Sequence, residues 1–250
     1  MTPDERRRAL EQIATEVRAC KGCRLAATRT RAVPGEGDTD TEVVFVGEGP
    51  GFNEDRDGRP FVGRAGGLLV RLLESIGWRR DDVFITNVVK CRPPENRDPQ
   101  ADEIAACAPF LRRQLEVIDP AVVVTLGRYS MGTFLPGARI GQVHGTSTPA
   151  DSETGAQNAL VFAMYHPAAA LRTPALERQS FDDIGRVPSV LLRAREQRAE
   201  AGAGTATMVP VMDAEPGPAL PAPDAISIVP GAALDPATAP DDAQLTLFQA

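Results

Sequence analysis

Four cysteines are the residues whose spacing most clearly suggests chemistry. They are Cys20, Cys23, Cys91 and Cys107, and the first two form a C-x2-C pair. Such a pair can present two thiolates to one metal, and four sulfurs match either a zinc ion or an iron–sulfur cluster. Cys107 has an alternative role as a small core residue, because its predicted helix is rich in alanine. The spacing therefore predicts a four-cysteine metal site without selecting the metal.

A second set of polar residues follows the apolar runs that we interpret as strands. Three of these runs end in unusual sequence, at residues 47–51 (GEGPG), 86–94 (TNVVKCRPP) and 165–167 (YHP). Taken singly, their glycines and prolines indicate no more than turns. Because ligands of open α/β sheets bind at the carboxyl ends of the strands, we expect these segments to converge on one site. Its candidate polar side chains are Glu48, Glu54, Asp55, Asn87, Asn96 and His166.

Two ring-bearing residues belong to the same segments. His166 ends a buried strand, so its imidazole is expected to face the ligand, whereas His144 is interpreted as an ordinary structural residue. Phe61 either caps its polar loop or stacks on a planar ligand. Nucleotide binding is not favoured, because Pro50 and Phe52 depart from the G-x-G-x-x-G fingerprint and no P-loop motif is present.

The elements that must position these residues alternate along the chain. Short apolar strands are predicted at residues 41–47, 82–89, 121–127 and 159–165. Helices are predicted at residues 3–19, 65–77, 100–118 and 129–135 and within 180–199, and residues 48–63 are expected to form a long loop. Near-continuous apolar strands alternating with helices are typical of a parallel sheet covered on both faces. The fold class is therefore predicted as α/β, a three-layer αβα sandwich around a four-stranded parallel sheet.

Charge divides the 250 residues into a body and a tail. The net charge is −7, but residues 201–250 hold six acidic residues and no Lys or Arg, which leaves 27 basic and 28 acidic residues in the body. The acidic balance therefore does not argue against nucleic acid, and all but two of the cations are arginines, whose planar guanidinium suits phosphate. We predict a domain at residues 1–199 and a disordered Ala/Pro-rich linker at 200–243, followed by a short apolar peptide at 244–250.

Composition also excludes several classes of protein. No apolar run is long enough for a membrane span, and the amino-terminal residues lack the apolar stretch of a secretory signal. Four cysteines are too few for a disulfide scaffold of this length. We expect a soluble cytoplasmic protein, associated with the nucleoid.

Together the motifs resemble the family 4 uracil-DNA glycosylases. The resemblance rests on GEGPG at residues 47–51 with Glu54 and Asp55, GRPFVGRAG at 58–66, TNVVKCRPP at 86–94 with Asn96 and Arg97, and HPAA at 166–169. It covers roughly residues 10–195 in order and with matching spacing. It implies hydrolysis of the N-glycosidic bond of uracil in single- and double-stranded DNA, in DNA base excision repair. It also implies a 4Fe-4S cluster on the four cysteines, which would order the Cys91 loop.

The resemblance further implies a role for each pocket residue. Phe61 would stack on the flipped uracil, and Asn87 would pair with uracil O4 and N3–H and so reject cytosine. Backbone N–H groups around Glu48 and Gly49 would meet uracil O2, to which neutral His166 would also donate as the base departs. The product would be an abasic site, with no lyase step, and the enzyme would act as a monomer. The rival function is a DNA-binding module without catalysis, in which Asn87, Phe61 and His166 would not be needed.

Two departures from the wider superfamily bear on mechanism. Gly49 stands where better-known uracil glycosylases have a water-orienting aspartate, so Glu54 as base and Asn96 as positioning amide are the candidates for that work. Glu54 has an alternative role in blocking the methyl group of thymine. The basic, histidine-containing insertion of the covalently trapping branch is missing between residues 91 and 107, which predicts free turnover.

The resemblance also suggests how DNA is held. The expected phosphate contacts are Arg92, Arg97 and Arg172, with Leu171 and Arg172 as an alternative wedge in the vacated base stack. Near the end of the chain, QLTLF resembles the peptide by which bacterial DNA enzymes bind the β sliding clamp. A linker of about 43 residues would span roughly 35–40 Å as a random coil. The residues of this predicted clamp-binding peptide are Gln244, Leu245, Leu247 and Phe248.

Overall fold

The computed structural model describes residues 1–206, and their centre is a six-stranded sheet of order β1-β3-β2-β4-β6-β5. The four inner strands are parallel, and the two short edge strands are antiparallel to their neighbours. The α/β prediction with four parallel strands is confirmed, and the two edge strands are an addition to it. The strands are β1 (Glu36–Gly37), β2 (Val43–Gly47), β3 (Phe84–Asn87), β4 (Val122–Leu126), β5 (Ser147–Pro149) and β6 (Leu160–Met164).

Helices cover both faces of this sheet. They are α1 (Pro3–Ala19), α2 (Phe52–Asp57), α3 (Arg64–Ser75), α4 (Ala101–Ile118), α5 (Arg128–Phe134), α6 (Ile140–Val143), α7 (Pro167–Ala170), α8 (Pro174–Ile184) and α9 (Val187–Ala206). Alternate strand residues point to opposite faces, so Val44 and Val46 pack with α1 and α4, whereas Val43 and Phe45 pack with α3, α8 and α9. The result is the expected three-layer sandwich with a core on each side.

Three predicted boundaries need correction. The loop expected over residues 48–63 contains α2, a helix of six residues that is too short to show an apolar period. The helix expected within residues 180–199 is two helices, α8 and α9. α9 continues to Ala206, past the predicted domain end at residue 199, whereas the rest of the predicted linker and the peptide 244–250 lie outside the described residues.

Capping explains why the helices beside the cysteines begin where they do. Thr2 and Glu5 form a reciprocal pair of hydrogen bonds at the start of α1, with Pro3 in its first turn. At the start of α4, the Glu103 carboxylate accepts the Gln100 N–H at 2.8 Å.

Within residues 1–206, no helix combines the length and apolar character needed to cross a membrane.

The strand register brings the functional segments together. Gly47 at the end of β2 pairs with Asn87 at the end of β3. β6 ends at Met164, so His166 emerges from the same edge of the sheet. Because parallel strands all point the same way, the three motifs meet at the carboxyl edge.

Candidate active site

A cavity of about 580 Å³ lies at the carboxyl edge of the sheet. Its volume is in the range of small-molecule sites. The predicted convergence of the three strand ends is therefore seen. The residues lining it that the sequence had singled out are Glu48, Gly49, Glu54, Phe61, Asn87, Asn96, Arg97, His166 and Arg172.

Asn87 is the most informative residue in the cavity wall. Its side chain is 1% exposed, and its Oδ1 is buried with no hydrogen-bond partner among the described residues. A buried amide oxygen without a donor is costly, of the order of 1–3 kcal/mol, so its presence indicates a ligand that supplies an N–H. Gly47 makes this arrangement possible, because a Cβ there would overlap Asn87 Oδ1 and lie 2.6 Å from Phe61 Cζ.

Phe61 is held in a backbone conformation that phenylalanine rarely adopts. Its φ is 51°, in the left-handed region, and its side chain is buried with the ring stacked on His166 at a centroid distance of 5.8 Å. Arg80 donates to the carbonyl oxygens of Pro60 and Phe61, and Gly66 lets the Phe61 carbonyl approach α3. Strain held by such surroundings is common at binding sites, and here it fixes the ring in the wall of the cavity.

Glu54 holds the same loop from the other side. Its Oε1 accepts the N–H groups of Val62 at 3.0 Å and Gly63 at 2.9 Å, and its Oε2 accepts that of Gly51 at 3.1 Å. A carboxylate engaged by three backbone donors is occupied in positioning the loop. These contacts therefore favour a positioning role for Glu54 over the general-base role that the sequence suggested.

His166 is neutral and in a defined tautomer. Burial, reinforced by the charge of Arg172, lowers the pKa of His166 to about 4. Its Nδ1 accepts the Ala168 N–H at 3.1 Å, so the ring proton is on Nε2. The neutral imidazole can therefore donate a hydrogen bond to a ligand, which is the state that the sequence analysis expected.

Gly49 and Glu48 shape the floor of the cavity. A Cβ at Gly49 would lie 2.7 Å from Cγ2 of buried Val89, so an aspartate here would require the Val89 side chain to shift. Burial raises the pKa of the Glu48 carboxyl, with a further contribution from Asp98. The close approach of Val89 therefore favours glycine at position 49.

The predicted DNA contacts differ in their surroundings. Arg97 pairs through both terminal nitrogens with Glu103, whose side chain is fully buried, so it is anchored to α4. Leu171 is half-buried and packs against the core, which argues against a wedge role for it. Arg172 is exposed on the cavity wall, with Nε donating to the Ala168 carbonyl. Of these three residues, Arg172 is the one placed to meet a phosphate.

Asn96 and Arg92 lie on the rim. Asn96 is exposed with a left-handed φ of 54°, and its Oδ1 accepts Arg92 Nε–H at 2.8 Å.

The remaining histidine, His144, forms a hydrogen bond of 2.8 Å between its Nδ1 and the carboxylate of buried Asp183. That pairing agrees with the structural role expected for His144, because its ring does not line the cavity.

The four cysteines line one small cavity between α1, the Cys91 loop and α4. Within the described part of the chain, no group of three or more cysteine, histidine or acidic side chains is arranged around a single metal ion. Four sulfurs at one cavity suit either a zinc ion or an iron–sulfur cluster, and this arrangement does not select between them.

Hydrogen bonds to sulfur fit a role of the cysteines as metal ligands. Cys20 Sγ accepts the Gly22 N–H at 3.3 Å, and Cys107 Sγ accepts the Lys90 N–H at 3.2 Å. Arg29 Nη1 donates to Cys91 Sγ at 3.0 Å. Such donors are typical of thiolate ligands. Burial raises the pKa of Cys107 to about 11, so a cationic centre is needed to ionise it.

Comparisons with known proteins agree with this geometry. A sequence model described as the uracil DNA glycosylase superfamily matches residues 34–184, which include every cavity motif. The chain belongs to the uracil-DNA glycosylase superfamily. Within it, the chain is a type-4 member, as its relatives show.

Three proteins named Type-4 uracil-DNA glycosylase are similar to this chain over most of its length. The protein from Sulfurisphaera tokodaii is 48% identical over 185 residues, 72% of this chain and 83% of the relative. That from Saccharolobus solfataricus is 48% identical over 188 residues, 73% and 86% of the two chains. That from Thermotoga maritima is 44% identical over 188 residues, 74% and 96%.

Sequence reasoning missed one buried residue of this type-4 chain. Lys90 is fully buried, and its Nζ donates to Thr86 Oγ1 at 2.7 Å, the Asn87 carbonyl at 2.8 Å and Gln114 Oε1 at 2.6 Å. Burial lowers the pKa of Lys90 to about 7. Lys90 thereby holds the backbone of Asn87 in position through its hydrogen bond to the Asn87 carbonyl. The sequence held only an indirect signal, a lone lysine within an apolar segment of an arginine-rich chain.

Proposed function

We propose that this protein flips uracil out of DNA and hydrolyses its N-glycosidic bond, which releases uracil and leaves an abasic site. The observation that carries the proposal is the buried, unpartnered Oδ1 of Asn87, in a cavity that also holds Phe61 and neutral His166. Enzymes that act on a base take it out of the stack into such a pocket.

Base reading follows from the chemistry of the Asn87 amide. Its Oδ1 accepts the uracil N3–H and its Nδ2 donates to O4. Cytosine presents an acceptor at N3 and a donor at N4, so both contacts would be mismatched. Strand pairing with Gly47 and the hydrogen bond from Lys90 to its carbonyl hold the Asn87 backbone, and the buried side chain stands in the cavity wall.

Departure of the base is assisted by His166. As the bond between C1′ and N1 breaks, its electron pair moves to the uracil ring, and Nε2–H of His166 donates to O2 where the negative charge develops. A preorganised donor of this kind lowers the barrier by about 3–4 kcal/mol. Water adds to C1′ of the oxocarbenium-like sugar and releases its proton to solvent, and the uracil anion takes up a proton from solvent. Asn96 on the rim is the group that we assign to positioning this water.

A lyase step is not part of the proposal. That reaction needs an amine nucleophile, and the sequence has two lysines, Lys21 and Lys90. Lys90 Nζ is committed to three acceptors, and neither lysine lines the cavity. Because the histidine-containing insertion of the covalently trapping branch is missing between residues 91 and 107, we also expect free turnover, with no protein–DNA adduct on denaturing gels.

We further propose that the four cysteines hold a 4Fe-4S cluster. When bound, the cluster supplies a structural cross-link between the end of α1, the Cys91 loop and α4, with no redox step in excision. The test is visible absorbance and iron content of purified protein, with Cys107→Ser as the variant. Protein that carries zinc instead of iron, and therefore lacks visible absorbance, would contradict the assignment.

The function is tested with an end-labelled oligonucleotide that carries one uracil, incubated in EDTA and then treated with alkali. Cleavage is expected at uracil, and none is expected in matched thymine and cytosine oligonucleotides. Asn87→Ala should abolish cleavage, whereas Gln142→Ala removes an exposed carboxamide outside the cavity and should not. If folded wild-type protein binds the oligonucleotide without cleaving it, the DNA-binding module is the correct function.

The clamp-binding peptide is a second proposal, supported by sequence alone. Leu245, Leu247 and Phe248 would fill an apolar pocket of a β sliding clamp, with Gln244 at its rim. Deletion of residues 244–250 should remove clamp binding while leaving excision on free DNA unchanged, and unchanged clamp binding would refute the idea.

Because the cavity is complete within one chain, we propose that the protein acts as a monomer, which light scattering can test. We also propose that it acts at the nucleoid in the cytoplasm, which microscopy can test.

A further inference from the structure

Phe52 is an exposed aromatic residue at the edge of the active-site cavity. It is the first residue of α2, its side chain is 60% exposed, and the preceding Pro50 and Gly51 line the cavity. Two other large apolar residues of the described chain are comparably exposed, Met1 and Leu192, and neither is next in sequence to a residue that lines the active-site cavity. A single exposed apolar side chain needs no explanation, but this one has a defined partner.

That partner is Arg92, from the loop after β3. The Arg92 guanidinium lies over the Phe52 ring, 5.3 Å from its centroid, and Arg92 Nε donates to Asn96 Oδ1 at 2.8 Å. No carboxylate of residues 1–206 forms an ion pair with Arg92. The rim of the cavity thus presents an aromatic ring beside an uncompensated cation.

The fold has no need for an aromatic ring at this position. Phe52 belongs to neither of the two hydrophobic cores, and an exposed ring leaves apolar area in water. A ring held by a guanidinium is the combination that proteins use to bind single-stranded nucleic acid, where bases stack on the ring and arginine meets the backbone. The chemistry of this rim therefore matches a nucleobase and its phosphate.

We propose that Phe52 and Arg92 form a stacking platform for an unpaired base adjacent to the flipped uracil, with Arg92 contacting the phosphate between the two nucleotides. The inference rests on the proposed function, because that function brings DNA to this rim. In a duplex the neighbouring base stays paired and stacked, whereas in a single strand its face is free. The platform therefore favours uracil in single-stranded DNA.

The platform predicts a substrate-dependent effect of Phe52→Ala. Loss of one base–aromatic stack should raise KM for a single-stranded uracil oligonucleotide about tenfold, with less than about a twofold change on duplex and an unchanged kcat. Phe52→Trp should preserve the single-strand preference, whereas Phe52→Leu, which is apolar but lacks a π face, should lose it. Leu192→Ala removes a residue of similar exposure (57%) elsewhere and serves as the matched control.

A second experiment removes the other partner of the stack. Single-stranded oligonucleotides carry 2′-fluoro-2′-deoxyuridine, which resists hydrolysis, and a tetrahydrofuran in place of the base on the 5′ or the 3′ side. Affinity is measured by fluorescence anisotropy. Wild type should lose about tenfold in affinity when one of the two flanking bases is removed, and Phe52→Ala should show no further loss from the same change.

The outcomes separate the two proposals. If wild type excises no uracil, the proposed function fails, but the anisotropy cycle still tests the platform. If wild type excises uracil and Phe52→Ala matches it on single strands, the platform is refuted. Additive losses from Phe52→Ala and from base removal would also refute it, because stacking partners must be coupled.

Discussion

The two adjacent glycines of α3 provide a test of how tightly the fold holds the Phe61 loop. Gly66 is buried, and a Cβ there would overlap the carbonyl of Phe61 and lie 3.0 Å from Phe61 Cα. Gly67 is exposed, and a Cβ there would meet nothing within 4 Å. Gly66→Ala and Gly67→Ala are therefore the same chemical change in the same helix, one against the active-site loop and one in open space.

The magnitudes follow from these contacts. Replacing glycine by alanine in a helix gains about 1 kcal/mol, which Gly67→Ala should show as a higher free energy of unfolding in urea. Gly66→Ala gains the same amount but overpacks Phe61, which costs about 1–3 kcal/mol, so its net destabilisation should be at most about 2 kcal/mol. A Cβ 1.8 Å from the Phe61 carbonyl oxygen forces that oxygen to move by more than about 1 Å, and a misplacement of about 1 Å costs about 100-fold in rate.

The assay is kcat/KM for uracil excision together with urea unfolding of both variants. We expect Gly66→Ala to lose about 100-fold in kcat/KM while remaining folded, and Gly67→Ala to match wild type in rate. If folded Gly66→Ala excises uracil as fast as Gly67→Ala does, the position of Phe61 does not control catalysis and the reasoning fails.

Three further predictions test individual side chains. Because the pKa of His166 is about 4, the rate of excision should show no titration of this imidazole between pH 8 and pH 5. A fall in the rate near pH 6.5 that is absent from His166→Ala would contradict this. Stability should fall over the same acid range, since the unfolded imidazole takes up its proton near pH 6.5 while the folded one stays neutral. Glu54→Gln should lower stability by about 1 kcal/mol and excision together, whereas lost excision at unchanged stability would restore the base role. Lys90→Met should cost about 3 kcal/mol of unfolding free energy by leaving buried acceptors unpaired, while Lys21→Met, at an exposed lysine, should be neutral in the same urea titration.

Most of the fold could be predicted because its signals are local. Each parallel strand is a short apolar run that is buried on both faces, as in Val43–Gly47 and Val122–Leu126, so neighbouring residues reveal it. The edge strand Glu36–Gly37 and the helix Phe52–Asp57 were not predicted, because so few residues show no period. These elements depend on pairing with β3 and on the contacts of Glu54, which are made by residues distant in sequence.

The residues of the site were identified from motifs, but their roles depend on contacts that no motif contains. The four cysteines, Asn87 and His166 were determined by the sequence as chemical types in the right order. The unpartnered Asn87 oxygen, the Nε2–H tautomer of His166 and the loop-holding role of Glu54 were decided only by tertiary structure. The physical reason is that the protonation state of a side chain, and which of its hydrogen-bonding atoms remain without a partner, are set by the donors, charges and burial around it. Those surroundings come from segments that only folding brings together.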